Sequence, residues 1–248
     1  MPRRNPTTMS TPLALVLLSL SLPAGALPLT ISQIYGGGGN SGATFTNDFI
    51  EIFNAGADPV SLAGLSLQYA SATGTGNFGQ NAGQLTLLPA GDLLPGQYFL
   101  LQEARGAGGS VPLPTPDVFD ATPIAMSATG GKVALVSSAV GLGCNGGSTP
   151  CSPTQLALIL DLVGYGSANF SETAATPSLS NTTSALRSGG GCTDTGNNAA
   201  DFQVGAPMPR NSASPRNVCA VTPVPEPGSL GLVGLAILGL GLLRRRAA

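Results

Sequence analysis

Short apolar segments separated by turn residues constrain the fold of this chain more than any other feature. Eight such segments lie at residues 29–35, 49–54, 65–69, 84–88, 97–102, 132–137, 156–164 and 201–204. Each is rich in β-branched, aromatic or leucine residues and is bounded by Gly, Pro, Asn or Ser, as strands are. Within them, residues 156–163 have the composition of a strand buried on both faces. Seven or more short strands joined by turns predict an all-β fold, a β-sandwich.

The charge of the region between the two ends excludes one class of partner. Between residues 27 and 227, five basic residues stand against all twelve acidic ones, which gives a net charge of −7. The basic residues are Arg105, Lys132, Arg187, Arg210 and Arg216. A net-negative chain with scattered cations binds nucleic acid phosphates poorly. We therefore expect no nucleic acid partner, whereas divalent metals, cationic ligands and neutral glycans remain open.

The first 26 residues have the pattern of a secretory signal peptide. Arg3 and Arg4 are followed by an apolar run at 13–22 and by an A-x-A cleavage site at 24–26. We therefore expect the mature chain to begin at Leu27. Two adjacent arginines alone do not make a twin-arginine signal, so the expected export partner is the Sec machinery.

The last two dozen residues combine an extended tripeptide, a membrane segment and a basic stop. Prolines on both sides of the glutamate at 226 keep the tripeptide extended. The apolar run 228–243, a single predicted transmembrane helix, would reach only about 24 Å at ~1.5 Å per residue. The residues that mark this signal are Pro225, Glu226, Pro227, Arg244, Arg245 and Arg246.

This ending resembles the PEP-CTERM sorting signal of Gram-negative bacteria. The resemblance implies an exported protein that is held briefly in the inner membrane and then cut by an exosortase. Its destination would be the cell envelope or the extracellular matrix. The alternative is a permanent membrane anchor at the same position.

Four cysteines in an exported chain favour disulfides over metal ligands or nucleophiles. Three pairings are possible. The expected one joins Cys144 to Cys151 across a turn-forming loop, and Cys192 to Cys219. The second bond would fix the end of the folded domain just before the sorting signal.

A second resemblance rests on several motifs that occur in one order. They are ISQIYGGGGN at 31–40, NDFIEIFN at 47–54, PVSLAGLSLQY at 59–69 and DLVGYG at 161–166, followed by segments 194–202 and 207–211. This series resembles the lamin tail domain, an immunoglobulin-like β-sandwich whose bacterial members are mostly non-catalytic modules. The expected divisions are a signal peptide (1–26), the sandwich domain (27–215), a linker (216–224) and the sorting signal (225–248).

The residues needed for several catalytic schemes are missing or isolated. The sequence contains no histidine, which excludes Ser-His-Asp and Cys-His catalysis and histidine-ligated metals. Lys132 follows two glycines and is expected to begin a strand; a Ser–Lys dyad is the alternative. The glycine run 36–39 is followed by neither a Lys-Ser/Thr pair nor a helix, so it is expected to be a loop and not a phosphate cradle.

Two carboxylates are candidates for a role in catalysis. Asp48 and Glu51 are three residues apart, so on a strand they point to opposite faces. Glu51 lies within an apolar strand, and we expect it to be the structural partner of an arginine such as Arg187. A carboxylate-dependent hydrolase would need a second acid across a cleft.

The segment from Asp194 to Asp201 is rich in oxygen ligands and could be a calcium loop. However, Gly196 and Ala199 depart from the calcium-loop pattern, and Asx-turns explain the same residues. Tyr and Phe residues could stack on sugars, although most are expected in the core.

These observations predict an exported, non-enzymatic envelope or matrix protein without a catalytic site, metal or cofactor. An exopolysaccharide is a candidate partner beside the exosortase. The alternatives are a glycan-binding adhesion module and a secreted hydrolase.

Overall fold

The computed structural model describes residues 28–220, and their regular structure is mostly strand. The first sheet contains, in spatial order, β12 (Phe202–Gly205), β11 (Ser184–Arg187), β1 (Leu29–Tyr35), β2 (Asn47–Asn54), β7 (Tyr98–Arg105) and β8 (Val118–Phe119). The second contains β10 (Ile159–Tyr165), β9 (Gly131–Val136), β4 (Ser66–Ser71) and β5 (Leu85–Leu87). A small ribbon pairs β3 (Val60–Ser61) with β6 (Asp92–Leu93). The named pairs are antiparallel except β7 with β8.

The two large sheets form a β-sandwich with the main core between them. Ile50 and Ile52 of β2 share one cluster with Leu67, Val133 and Val163 of the second sheet. The opposite face of the first sheet, which we call its outer face, is also covered. The aromatic and leucine residues there form a separate buried cluster of Tyr35, Phe45, Phe49, Leu100 and Leu113. Strands buried on both faces do not need alternating sequences, which explains why the predicted strands alternate poorly.

Short helical turns interrupt the strands and correct one predicted boundary. The strand predicted at 156–164 starts only at Ile159, because α1 (Pro153–Leu156) occupies the preceding residues. Ser152 caps this helix and Gln155 completes a capping box, a sequence signal that the strand assignment overlooked. Residues 28–220 contain one more α-helix, α2 (Asn198–Asp201), and 3₁₀ turns at Ala82–Gln84 and Ser188–Gly191.

Four strands were not among the eight predicted ones: β3, β6, β8 and β11. Three of them have only two residues. β11 is Ser-Ala-Leu-Arg and lacks the β-branched residues that mark a strand, yet it pairs with β1 on one side and with the edge strand β12 on the other.

The predicted signal peptide, the tripeptide at 225–227, the apolar run and the final arginines lie outside the described residues. Within residues 28–220, no helix has both the length and the apolar character required to cross a bilayer.

Candidate functional site

Residues 206–219, which we call the C-terminal strap, lie on the outer face of the first sheet. Their backbone and side chains bond to that sheet at several points along their length. Gln33 donates to the Met208 carbonyl and accepts from the Met208 amide, at 3.0 and 2.8 Å. Farther along, the Ser212 amide donates to Asp117 and the Asn217 amide donates to the Gly96 carbonyl. The strap therefore belongs to the folded domain, including residues 217 and 219 of the predicted linker.

Arg210 is the ion-pair partner of Glu51, which corrects the expectation that Arg187 would be. The Arg210 guanidinium lies 2.7 Å from Glu51 Oε1, and the Arg210 amide donates to Oε2. Burial raises the pKa of Glu51, while Arg210 and the Ser32 hydroxyl act in the opposite direction. The guanidinium also lies 3.7 Å from the centre of the Tyr98 ring. Glu51 is thus the anchor point of the strap.

Arg187 instead joins the two sheets through Asp161. Its Nη2 lies 2.7 Å from Asp161 Oδ2, and its Nε donates to the Ile31 carbonyl at 2.8 Å. The Ile31 amide donates to the same carboxylate oxygen at 2.6 Å. Burial raises the pKa of Asp161, and Arg187 opposes that shift. β11, β1 and β10 therefore meet at one charged group inside the sandwich.

Hydrogen bonds to aspartate side chains hold the oxygen-rich loop beside Arg187. Asp194 accepts from the Gly196 amide two residues on, which is the predicted Asx-turn. Asp201 accepts from the amide and hydroxyl of Thr195, six residues before it, and these bonds close the loop without forming an Asx-turn. They give the loop a structural role that needs no ion.

The carboxylates that could hold a cation in this loop are those of Glu172, Asp194 and Asp201, whose nearest oxygens lie within 4.8 Å of one another. Glu172 is distant in sequence, so the calcium-loop pattern could not include it. Burial and then Asp161 and Asp194 raise the pKa of Glu172 to about 7. Arg187 already lies 3.2 Å from Asp194, so its guanidinium supplies positive charge to this cluster. Calcium binding by this loop stays a prediction from the sequence, as the alternative to a purely structural role.

Asp48 holds the glycine run 36–39 against the first sheet. Its two carboxylate oxygens accept from the Gly38 and Met126 amides at 2.8 and 3.0 Å. Burial raises its pKa to about 7. A Cβ atom on Gly38 would lie 1.8 Å from the carbonyl carbon of Asn47, so only glycine fits this backbone contact. The run is a tightly packed loop, and Asp48 and Glu51 point to opposite faces as expected.

Two further buried ionisable side chains bond within the fold. Lys132 donates to the Asn145 carbonyl and to Asn169 Oδ1 at 2.8 and 2.9 Å, and burial lowers its pKa. Glu103 accepts from the Thr86 hydroxyl and the Ile124 amide. Burial raises the pKa of Glu103 to about 8. Sequence reasoning missed Glu103 because the predicted strand ended at 102, one residue before it.

Both expected disulfides are present in the structure. Cys144 and Cys151 are bonded with Cα atoms 5.1 Å apart, and Cys192 and Cys219 with Cα atoms 5.6 Å apart. The second bond joins the end of the strap to the residue that follows the 3₁₀ turn after β11. The folded domain is therefore closed six residues before Pro225.

The aromatic side chains are almost all internal. The chain has four tyrosines, eight phenylalanines and no tryptophan, and all twelve rings lie in the described part. Eleven are buried or half-buried, as expected, whereas Phe119 is 66% exposed.

Comparison with known proteins identifies two segments. The Lamin Tail Domain model matches residues 23–147, half of the chain, and the PEP-CTERM protein-sorting motif matches residues 223–246. The crystal structure of a DUF4876 family protein from Bacteroides thetaiotaomicron is similar with a TM-score of 0.47 and 16% identity. That match covers 77% of this chain and 74% of the other. No curated protein matches significantly.

Proposed function

Because the chain belongs to the lamin tail domain family and carries a PEP-CTERM protein-sorting motif, we propose that it is a non-enzymatic component of the cell envelope or extracellular matrix. The motif indicates an exported protein of a Gram-negative bacterium that an exosortase processes. The matched motif begins at residue 223, four residues after the disulfide at Cys219 closes the domain, and this arrangement carries the proposal. The domain would be the delivered part and the motif its removable tether.

The hydrogen bonds and burial of the ionisable side chains support the non-enzymatic role. Asp48, Glu51 and Glu103 each accept hydrogen bonds from neighbouring residues and are almost completely buried. Lys132 is bound by two amide oxygens. Groups engaged in this way stabilise the sandwich, which supports a structural role for them.

A hydrolase assay tests this part of the proposal. The full chain is incubated with glycoside, ester and phosphodiester substrates, together with Glu103→Gln and Asp48→Asn. We expect no turnover by any of the three proteins. Turnover by the wild type that either substitution abolishes, while the melting temperature is retained, would make the chain a carboxylate-dependent hydrolase.

The sorting route is tested by Glu226→Ala. The substitution keeps the apolar run and the arginines, so insertion into the inner membrane should not change, whereas cleavage should stop. Val224→Ala is the matched control, because it changes the linker but leaves the tripeptide intact. Cell fractionation in a host with an exosortase is the measurement. Equal release of the wild type and Glu226→Ala would indicate a plain anchor.

We further propose that residues 1–26 are a Sec signal peptide and that the sandwich has immunoglobulin-like topology. Amino-terminal sequencing of the exported protein should give Leu27 as its first residue. A first residue far upstream of the A-x-A site would contradict Sec processing.

A further inference from the structure

A pocket of about 420 Å³ opens on the first sheet beside its edge strand β8. Two side chains that line it are unusual for this chain. Phe119 is the one exposed aromatic ring of the twelve. Arg105 is exposed as well and lies at the end of β7. An exposed aromatic ring in the same pocket as an exposed cation is more informative than an isolated exposed aliphatic residue, because the other eleven aromatic rings are buried or half-buried.

Arg105 differs from the buried cations in having no internal partner. Arg187 and Arg210 form ion pairs, and Lys132 bonds to two amide oxygens. Within residues 28–220, the guanidinium of Arg105 makes neither an ion pair nor a hydrogen bond. Its five N–H donors are therefore free to meet a ligand in the pocket.

Side chains that offer both hydrogen-bond donors and acceptors complete the lining of the pocket. The β7–β8 pairing places Phe119 directly opposite Gln102, whose side-chain amide offers a donor and an acceptor. Asp120 Oδ1 accepts from the Thr122 amide, which leaves Oδ2 free to accept from a ligand. Glu103 also lines the pocket, but its pKa of about 8 keeps it mostly uncharged at pH 7.

A second pocket of about 290 Å³ is adjacent to the first, because Phe119 and Asp120 line both. Leu87, which is 52% exposed, adds an apolar wall to the second pocket. We call the two adjacent pockets together the groove. Such a groove can hold more than one unit of a chain-like ligand.

We propose that this groove binds neutral hexose units of a polysaccharide. A sugar ring has an apolar C–H face that can cover Phe119, and hydroxyls that both donate and accept. Arg105 supplies the complementary hydrogen-bond donors and Asp120 the acceptor. Ligand pockets commonly have mainly apolar walls and a few polar groups that fix the orientation of the ligand. The charges of Arg105 and Asp120 balance each other, and the net charge of −7 between residues 27 and 227 disfavours polyanions.

The proposal rests on the proposed function for its setting, because only an exported domain meets an extracellular polysaccharide. Binding is measured on the full chain in detergent by titration calorimetry. The probes are hexamers of glucose, mannose and galactose, with a uronate hexamer for comparison. We expect the wild type to bind at least one neutral hexamer more tightly than the uronate. Failure of this test would leave export, which is measured by fractionation, unaffected.

Two variants locate the binding. Phe119→Ala should weaken the affinity about tenfold or more, which corresponds to about 1.4 kcal/mol, and Arg105→Gln should weaken it to a smaller extent. Val140→Ala is the control, because Val140 is 71% exposed and lines neither pocket. All three should melt like the wild type. No binding of a neutral hexamer, tighter binding of the uronate, or full affinity in Phe119→Ala would overturn the proposal.

Discussion

Two of the arginine–carboxylate pairs in the described part of the chain have the same 2.7 Å contact but opposite surroundings. Arg187 and Asp161 have side chains that are 0% and 1% exposed, and they join strands of different sheets. Arg210 is 29% exposed and pairs with the fully buried Glu51 on the outer face. The first pair is part of the interior, whereas the second attaches the C-terminal strap to the outer face of the first sheet. Equal distances therefore do not imply equal contributions to stability.

The difference lies in what remains when the arginine is removed. Without Arg187, Asp161, Asp194 and Asp201 would face one another inside or near the core. Without Arg210, the strap can separate from the sheet and let water reach Glu51. Breaking a buried pair is costly mainly because the surviving charge stays uncompensated.

The largest effect is expected for Arg187→Leu. Removal of the guanidinium should lower the free energy of unfolding by about 3–5 kcal/mol, the range for breaking a buried pair. Urea denaturation followed by circular dichroism is the measurement. Arg216→Leu, at an exposed position, serves as the control and should stay within about 0.5 kcal/mol of the wild type. A loss below about 1 kcal/mol for Arg187→Leu would mean that the interior pair is no stronger than a surface one.

Removal of the Cys192–Cys219 bond tests the strap more directly. The chain-entropy relation gives about 3.5 kcal/mol for its 27-residue separation and about 2.4 kcal/mol for the 7-residue separation of Cys144–Cys151. The Cys192→Ser/Cys219→Ser double variant should therefore lose more stability than the Cys144→Ser/Cys151→Ser one. It should also become sensitive to proteases within residues 206–219. Equal protease resistance in both double variants would show that the hydrogen bonds and the Arg210–Glu51 pair hold the strap without the disulfide.

A smaller loss, about 1–3 kcal/mol, is expected for Arg210→Leu, since Glu51 would keep its bond to Ser32 but lose its charged partner. Hydrogen exchange should increase in residues 206–219 and stay unchanged in β10. If exchange in β10 increased as well, the two pairs would belong to one cooperative unit and the comparison would fail.

The sequence predicted the strands well where local composition determines them. β1 was predicted at its observed bounds, because a seven-residue apolar segment lies between a proline and a glycine run. β11 was missed because its pairing with β1, and not its composition, makes it a strand.

The partner of Glu51 could not be predicted for a similar reason. Both Arg187 and Arg210 are far from residue 51 in sequence, and only the path of the strap brings Arg210 onto the outer face. The groove around Phe119 was also invisible, since β8 has two residues and its exposed ring depends on its place at a sheet edge. Local sequence patterns do not predict contacts that depend on the order of strands in the sheet.

The last prediction compares these pairs with Glu103, a buried acid that forms no ion pair within residues 28–220. The pKa of Glu103 is raised from its ordinary value of 4.5 to about 8, chiefly by burial. Below pH 4.5 both the folded and the unfolded chain hold this proton, and between pH 4.5 and 8 the folded chain holds it more tightly. The stability that Glu103 contributes is therefore complete at low pH and is lost as the pH rises towards 8.

Glu103→Gln should remove this pH dependence at little cost at pH 5, because the amide can donate to the Thr86 hydroxyl and accept from the Ile124 amide. The free energy of unfolding is measured by urea denaturation at pH 5, 6, 7 and 8. The wild type should lose stability across this series, with a slope from this group of at most about 1.4 kcal/mol per pH unit. The variant should show a shallower slope, and Asp48 and Glu172, whose pKa values of about 7 act in the same direction, should contribute to the slope that remains. Identical slopes in both proteins would mean that Glu103 is ionised inside the fold and that water or a rearranged donor compensates its charge.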